Sequence, residues 1–148
     1  MNPGCPFRRE ARRGTSAVEF ALSSTLLWLL LSGGFRYGYS VYAYESLLNA
    51  VAGAARYAAR VDFDEPGHTF ITGVKNMAVY GSPTGGGSPL APELSAANVQ
   101  VTWTSDATGL PLTIRVSIIN YTVHPVFHSL SWSGKPSVTV RFSGRYVT

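Results

Sequence analysis

The feature that most constrains this chain is an unbroken apolar run near its N-terminus, from Thr15 to Phe35. The run is 21 residues long and contains one charged side chain, Glu19. As an α-helix it would extend about 31 Å, which matches the roughly 30 Å hydrocarbon core of a bilayer. Its centre, residues 26–31, reads LLWLLL and has no polar face of the kind that a surface helix shows. The run therefore predicts a membrane-spanning helix.

The basic residues are unevenly distributed, and their position predicts the orientation of that helix. The first 14 residues carry four arginines and one glutamate, a net charge of +3; the arginines are Arg8, Arg9, Arg12 and Arg13. Because basic flanks remain on the cytoplasmic side, everything after Phe35 is expected outside the cytoplasm. The rest of the chain is nearly neutral, which argues against nucleic-acid binding.

Helical character continues beyond the apolar run. Apolar residues recur at spacings of three and four, and no proline occurs between this run and Pro66, so a helix is expected to about Arg60. The predicted stripe consists of Val41, Tyr44, Leu48, Val51, Ala55 and Ala58. A bend is expected at Gly33-Gly34, and the helix should end within residues 62–67.

The second half of the chain predicts a short helix and a small sheet. We expect a helix over residues 68–80, a loop over 81–92, and strands from about Asn98, where apolar and polar residues alternate. Three strands are predicted, with a break around residues 124–134. Since an isolated sheet of this size is marginal, the striped part of the long helix should cover it. The predicted fold class is α+β, a long N-terminal transmembrane helix packed on a small antiparallel β-sheet.

The most informative motif lies where the basic segment meets the apolar run, and reads RRGTSAVEFAL over residues 12–22. A glycine after basic residues, followed by a hydrophobic helix with a carboxylate at its fifth position, resembles the type III signal of type IV pilins. The resemblance implies that a membrane aspartic peptidase cuts between Gly14 and Thr15 on the cytoplasmic side. It also places Glu19 at the fifth position of the mature chain.

Such a cut would keep the apolar helix and create a free amine on Thr15. When helices of this kind bundle, the amine lies among apolar neighbours and needs a counter-charge. Glu19, one helical turn further, can neutralise the amine of the same or an adjacent subunit, so we expect it to be an assembly carboxylate. The alternative is that Glu19 lies at headgroup level, where its charge costs little.

The N-terminal third more specifically resembles the TadE/TadF-like pseudopilins of the Flp (Tad) pilus system. The resemblance lies in residues 12–22, in Tyr37-Gly38 and in LLNAVAGAARYAAR at 47–60; residues 76–83 and the strands are less specifically similar. Thr25 departs from the family pattern, at a place where a proline is expected in the apolar run.

The resemblance implies a minor pilin or pseudopilin, processed by the prepilin peptidase and needed for assembly of a Flp-type (Tad) pilus. The chain would have a leader over residues 1–14, a transmembrane and assembly helix over 15–35 and a pilin-like periplasmic domain over 36–148. It would be a single-pass protein of the bacterial inner membrane, retained there or incorporated into the pilus. Its implied partners are the inner membrane, the prepilin peptidase, other pilins or pseudopilins and the Tad assembly platform, with no small-molecule substrate.

Two alternatives stay open. One is an uncleaved single-span inner-membrane anchor with a periplasmic binding domain. The other is a secreted soluble β-rich protein whose first 34 residues are a signal peptide. This second alternative needs small residues before its cleavage site, and Leu31-Ser32-Gly33 fits that requirement poorly.

Other motifs are weaker. Ala50, Ala54 and Ala58 are spaced four apart, which suits close helix packing against another helix or against the chain's own sheet. His124 and His128 have a metal-ligand spacing for a helix, but the proline between them argues against helix, so no metal site is expected. No catalytic constellation or cofactor motif is present in the sequence, so we expect neither enzymatic activity nor a cofactor.

Overall fold

A computed structural model of the chain describes residues 10–64, 68–107, 109, 111–124 and 129–147. The helices are α1 (Glu10–Ala58) and α2 (His68–Tyr80), with a 3₁₀ turn at Ala96–Asn98. The strands are β1 (Phe63–Asp64), β2 (Val99–Ser105), β3 (Pro111–Ile118), β4 (Tyr121–Val123), β5 (Leu130–Trp132), β6 (Ser137–Arg141) and β7 (Tyr146–Val147). The chain divides into two compact units, of which the first ends at Gly38 and the second begins at Tyr39.

The first unit is the N-terminal part of α1. The whole helix has 49 residues and contains the predicted helical range except for its last two positions. It runs through Gly33 and Gly34 without interruption, and a bend at this point stays a prediction. An unbroken ladder of backbone hydrogen bonds is what a segment needs if it is to lie in hydrocarbon, because no water is there to bind an open peptide group.

In the second unit, α1 buries a different stripe from the predicted one. The last three members of the predicted stripe are buried, but Val41, Tyr44 and Leu48 are 38–42% exposed, and the prediction was wrong for them. The side chains buried along this part of the helix instead are Ala43, Leu47, Ala50 and Ala54. Small alanine side chains let a helix lie close to its neighbours, whereas the predicted stripe followed the larger apolar residues.

The three predicted strands form one antiparallel sheet in the order β2-β3-β6. Val116 on the central strand pairs with Val101 on one side and with Val138 on the other. Ile114, Val116 and Ile118 are fully buried and belong to one hydrophobic core with the buried side chains of α1 and α2. The fold class is α+β, as predicted, and both helices contribute to the cover of the sheet.

Two strand pairs were not predicted. β4 and β5 form an antiparallel hairpin, and β5 lies inside the stretch 124–134 that was expected to be a break. β1 pairs in parallel with β7, which joins the segment after α1 to the C-terminal end of the described chain. These strands have two or three residues each, too few to display an alternating pattern that could be recognised.

The start of α2 is capped by a carboxylate. The backbone N–H groups of Thr69 and Phe70 donate to Oδ2 and Oδ1 of Asp64, at 3.2 and 3.0 Å. The bond from Phe70 is the main reason that the pKa of Asp64 lies below its ordinary value. At the other end, Gly81 has φ +71° and its N–H donates to the Met77 carbonyl at 3.0 Å, a left-handed helix end that glycine permits.

We predict that Asp64→Asn and Asp64→Ala both lower the thermal unfolding midpoint near neutral pH, and that alanine lowers it more because it removes both acceptor oxygens. Since the folded-state pKa of Asp64 is depressed, the ionised carboxylate stabilises the fold above the unfolded pKa of about 3.9, and this stabilisation is lost as the pH falls through the folded pKa. The gap between wild type and Asp64→Asn should therefore close in acid, as followed by circular dichroism melts in detergent micelles. Asp62→Asn, at an exposed neighbouring carboxylate, is the control and should change the midpoint little. A gap that stays constant with pH would contradict the assigned role.

Candidate membrane and assembly site

The N-terminal part of α1 presents apolar side chains around its whole circumference. The six consecutive residues from Leu26 to Leu31 are each 58–73% exposed. Because successive residues of a helix are about 100° apart, six of them cover more than one full turn. Val18, Phe20, Leu22 and Phe35 are exposed as well. No part of the described chain covers this surface, and an apolar surface of this extent marks contact with lipid or with another protein.

Length and composition qualify one helix among the described residues to cross a membrane, and it is α1. Two of its hydroxyl groups are satisfied within the helix itself. The Thr25 hydroxyl donates to the Ala21 carbonyl at 2.8 Å, and the Ser32 hydroxyl donates to the Leu29 carbonyl at 3.1 Å. Hydroxyls bonded in this way leave no donor unsatisfied in hydrocarbon. Thr25 thus fits an apolar helix although it departs from the expected proline.

The predicted processing and assembly residues lie in the first described turns of α1. Gly14, Thr15 and Glu19 are all exposed, and positions 15 and 19 are one turn apart on the same side of the helix. A β-carbon at Gly14 would have no neighbouring atom within 4 Å, so the fold itself does not require glycine there. Of the four arginines that were expected to determine topology, Arg12 and Arg13 lie within α1, whereas Arg8 and Arg9 lie outside the described residues.

The three alanines proposed for helix packing are in the second unit. Ala50, Ala54 and Ala58 are at most 2% exposed and belong to the hydrophobic core of that unit. Their side chains therefore pack inside the chain's own domain.

The predicted absence of a metal site concerned two histidines. Nδ1 of His124 lies 3.0 Å from Oε2 of Glu93, and both side chains are largely exposed. This hydrogen bond is the main cause that lowers the pKa of the Glu93 carboxyl. His128 lies outside the described residues. Within the residues that the structure describes, no three potential metal ligands come together.

One surface of the second unit was missed by the prediction. Val41, Tyr44 and Leu48 line an open groove of about 360 Å³ together with Trp132 of β5. The alternation Leu130-Ser131-Trp132 is too short to have indicated a strand within the expected break.

One protein-family model matches the N-terminal part of the chain. Residues 14–56 match the model of the family described as TadE-like protein. The match begins at Gly14, contains the exposed apolar helix and most of the alanine-rich continuation, and covers less than a third of the chain. Comparisons with curated proteins and with solved structures found no match. The resemblance inferred from residues 12–60 is confirmed by the family match.

We predict that the double substitution Leu27→Arg with Leu29→Arg moves the protein from the membrane to the soluble or aggregated fraction. Each arginine near the centre of a spanning helix costs about 2.5–3.5 kcal/mol of insertion free energy. Both positions are exposed, so no core packing is lost. The measurement is carbonate extraction of cell membranes, with Leu27→Phe and Leu29→Phe as the matched control. Equal retention of both double variants would show that this segment does not hold the protein in the bilayer.

Proposed function

We propose that this chain, whose N-terminal part is TadE-like, is a minor pilin or pseudopilin needed for assembly of a Tad pilus. The observation that carries the proposal is the fully exposed apolar helix that the family match covers. Such a helix is stable in lipid before assembly and among the helices of other subunits after it, because van der Waals packing replaces lipid contacts at little cost. The TadE-like match points to a pilus component and not to an enzyme.

We infer that the prepilin peptidase cuts between Gly14 and Thr15. Gly14 is exposed, and the packing of the described chain gives no reason for a glycine at this position. Glycine weakens a helix by about 1 kcal/mol relative to alanine, so the backbone opens more readily here for a peptidase. A cut at this bond removes the basic leader and keeps the whole apolar surface.

Glu19 is proposed as the carboxylate that offsets the new amine of Thr15. The two positions lie one turn apart, so the charges are neighbours within one chain or between adjacent parallel chains. The partial positive charge of a helix N-terminus also favours a carboxylate in its first turn. In an apolar bundle an unpaired amine is costly, and the pair reduces that cost.

The proposed location is the bacterial inner membrane, with the second unit in the periplasm. The arginines before Gly14 support this orientation through the retention of basic flanks in the cytoplasm. The proposed partners are the prepilin peptidase, other pilins or pseudopilins and the Tad assembly platform. An uncleaved single-span anchor is the main competing function, and a secreted protein cut near Gly34 is the other.

N-terminal sequencing of the natural protein distinguishes the processed pilin, the uncleaved anchor and the secreted protein. We expect a mature N-terminus at Thr15; an intact leader would support the anchor, and a start near Gly34 would support the secreted form.

Gly14→Val should block processing and leave a larger precursor, because a β-branched side chain both stiffens the backbone and fills the space at the cut. Gly14→Ala should only slow processing. An unchanged electrophoretic size of the Gly14→Val protein would refute the peptidase assignment.

Glu19→Val should leave processing intact and abolish or strongly reduce piliation, because the amine of Thr15 loses its counter-charge. Glu19→Asp keeps a carboxylate and should retain more pili than Glu19→Val. Piliation is measured by electron microscopy of cells and by the amount of sheared pilus protein, with mature chain size checked on the same samples. Normal piliation of the Glu19→Val strain would remove the assembly role.

A further inference from the structure

In the second unit, α1 leaves part of its large apolar surface outside the core. The buried face consists of alanines together with Leu47 and Val51, whereas Val41, Tyr44 and Leu48 remain 38–42% exposed. These three form one wall of the groove described above, here called the Trp132 groove, and Glu45 lies at its edge. Three neighbouring apolar side chains that the chain's own core leaves exposed present a surface suited to a second partner.

Trp132 forms the opposite wall of the Trp132 groove, and a second aromatic ring supports it. The ring of Trp132 stacks on that of Tyr121, with 5.8 Å between ring centroids. Tyr121 is fully buried, and its hydroxyl donates to the Pro92 carbonyl. This arrangement fixes the indole before any partner binds, which lowers the entropy cost of association. Tryptophan and tyrosine are also the residues that most often anchor protein interfaces.

The exposed residues follow a seven-residue repeat. Val41, Tyr44 and Leu48 occupy positions a, d and a of a heptad, the pattern by which parallel helices pair. The same spacing continues towards the N-terminus along α1 through Tyr37, Gly34, Leu30 and Leu27. Beyond Leu48 the repeat turns into the chain's own core, and up to that residue an identical helix offers a and d positions of the same spacing.

We propose that the Trp132 groove binds the same segment of α1 from a second copy of this chain, in a parallel, in-register pair of helices. In two copies anchored by the same apolar segment, residues 41–48 follow the anchor at the same distance along the chain, which favours pairing in register. The proposal rests on the membrane-spanning part of the proposed function and not on processing or pilus assembly. An isologous contact of this kind closes as a dimer.

The charges at the edge of the groove are compatible with this pairing. In the heptad, Glu45 is at position e, and across a parallel pair it faces position g of the other helix, which is Ser40. Glu45 of one copy therefore meets a hydroxyl and not another carboxylate. A pair of copies in register thus brings the apolar stripes together without placing like charges opposite each other.

The proposal is tested by a cysteine scan of the full chain in phospholipid vesicles that contain no other protein. Cys5, the only cysteine of the sequence, is first changed to serine. Single cysteines are then introduced as Val41→Cys, Tyr44→Cys and Leu48→Cys. In-register a and d positions come close enough for a disulfide, which needs Cα atoms within about 7 Å, so each of these variants should form a covalent dimer on mild oxidation.

The matched controls are Tyr42→Cys and Asn49→Cys, which lie on the same helix outside the a and d positions. Tyr42 is 59% exposed, more than Tyr44, so simple exposure would favour crosslinking at position 42. We expect several-fold more dimer at 41, 44 and 48 than at 42 and 49. Equal crosslinking at all five positions, or none at 41, 44 and 48, would overturn the proposal.

A second measurement, the mass of the disulfide-linked product, identifies the partner. In the native host the same variants should yield a product of twice the chain mass; a disulfide-linked product of another mass would assign the groove to a different subunit and overturn the pairing of identical chains. Because the vesicle assay needs no peptidase and no pilus machinery, its failure leaves the processing site and piliation results unaffected, and failure of those results leaves this contact intact.

Discussion

The apolar circumference of α1 between Gly14 and Phe35 is the constraint on which the behaviour of this protein depends. Nothing in the described chain covers it, and a helix with no polar face cannot be stable in water at that length. Lipid or other apolar helices must surround it. Internal hydrogen bonds satisfy the hydroxyl groups of Thr25 and Ser32 on this surface. Membrane anchoring and assembly by side-by-side packing are then two uses of one physical property.

Beyond Gly38 the same helix acquires a second role, because its composition changes from leucine-rich to alanine-rich. Alanines at positions 43, 50 and 54 are buried on this face, and the last two lie in the hydrophobic core together with Leu47. Val41, Tyr44 and Leu48 lie outside this buried face, where they line the groove beside Trp132. Hydrophobicity alone therefore does not decide which apolar residues of the helix are buried.

Much of the fold could be predicted because long elements carry strong periodic signals. The range of α1, the helix 68–80 and the three strands of the main sheet all show patterns of many residues. The predicted buried stripe on α1 was wrong for three of its six residues, Val41, Tyr44 and Leu48. Hydrophobic spacing alone does not distinguish an apolar residue that faces the core from one that faces a partner. The hairpin of β4 and β5 was not predicted, because strands of three residues are too short to show a recognisable pattern. Its residue Tyr121 is buried in the core, a contact that only the tertiary structure shows.

The candidate site also has features that the sequence predicted and features that only the tertiary structure shows. The apolar run, the arginines before it and the motif around Gly14 and Glu19 are local features, and their meaning follows from composition, spacing and order along the chain alone. The Trp132 groove joins residues about ninety positions apart, and only the tertiary structure decides that Val41, Tyr44 and Leu48 are left outside the core. Local properties are set by neighbours in the chain, whereas which of two apolar faces is buried depends on how closely each can approach the rest of the domain.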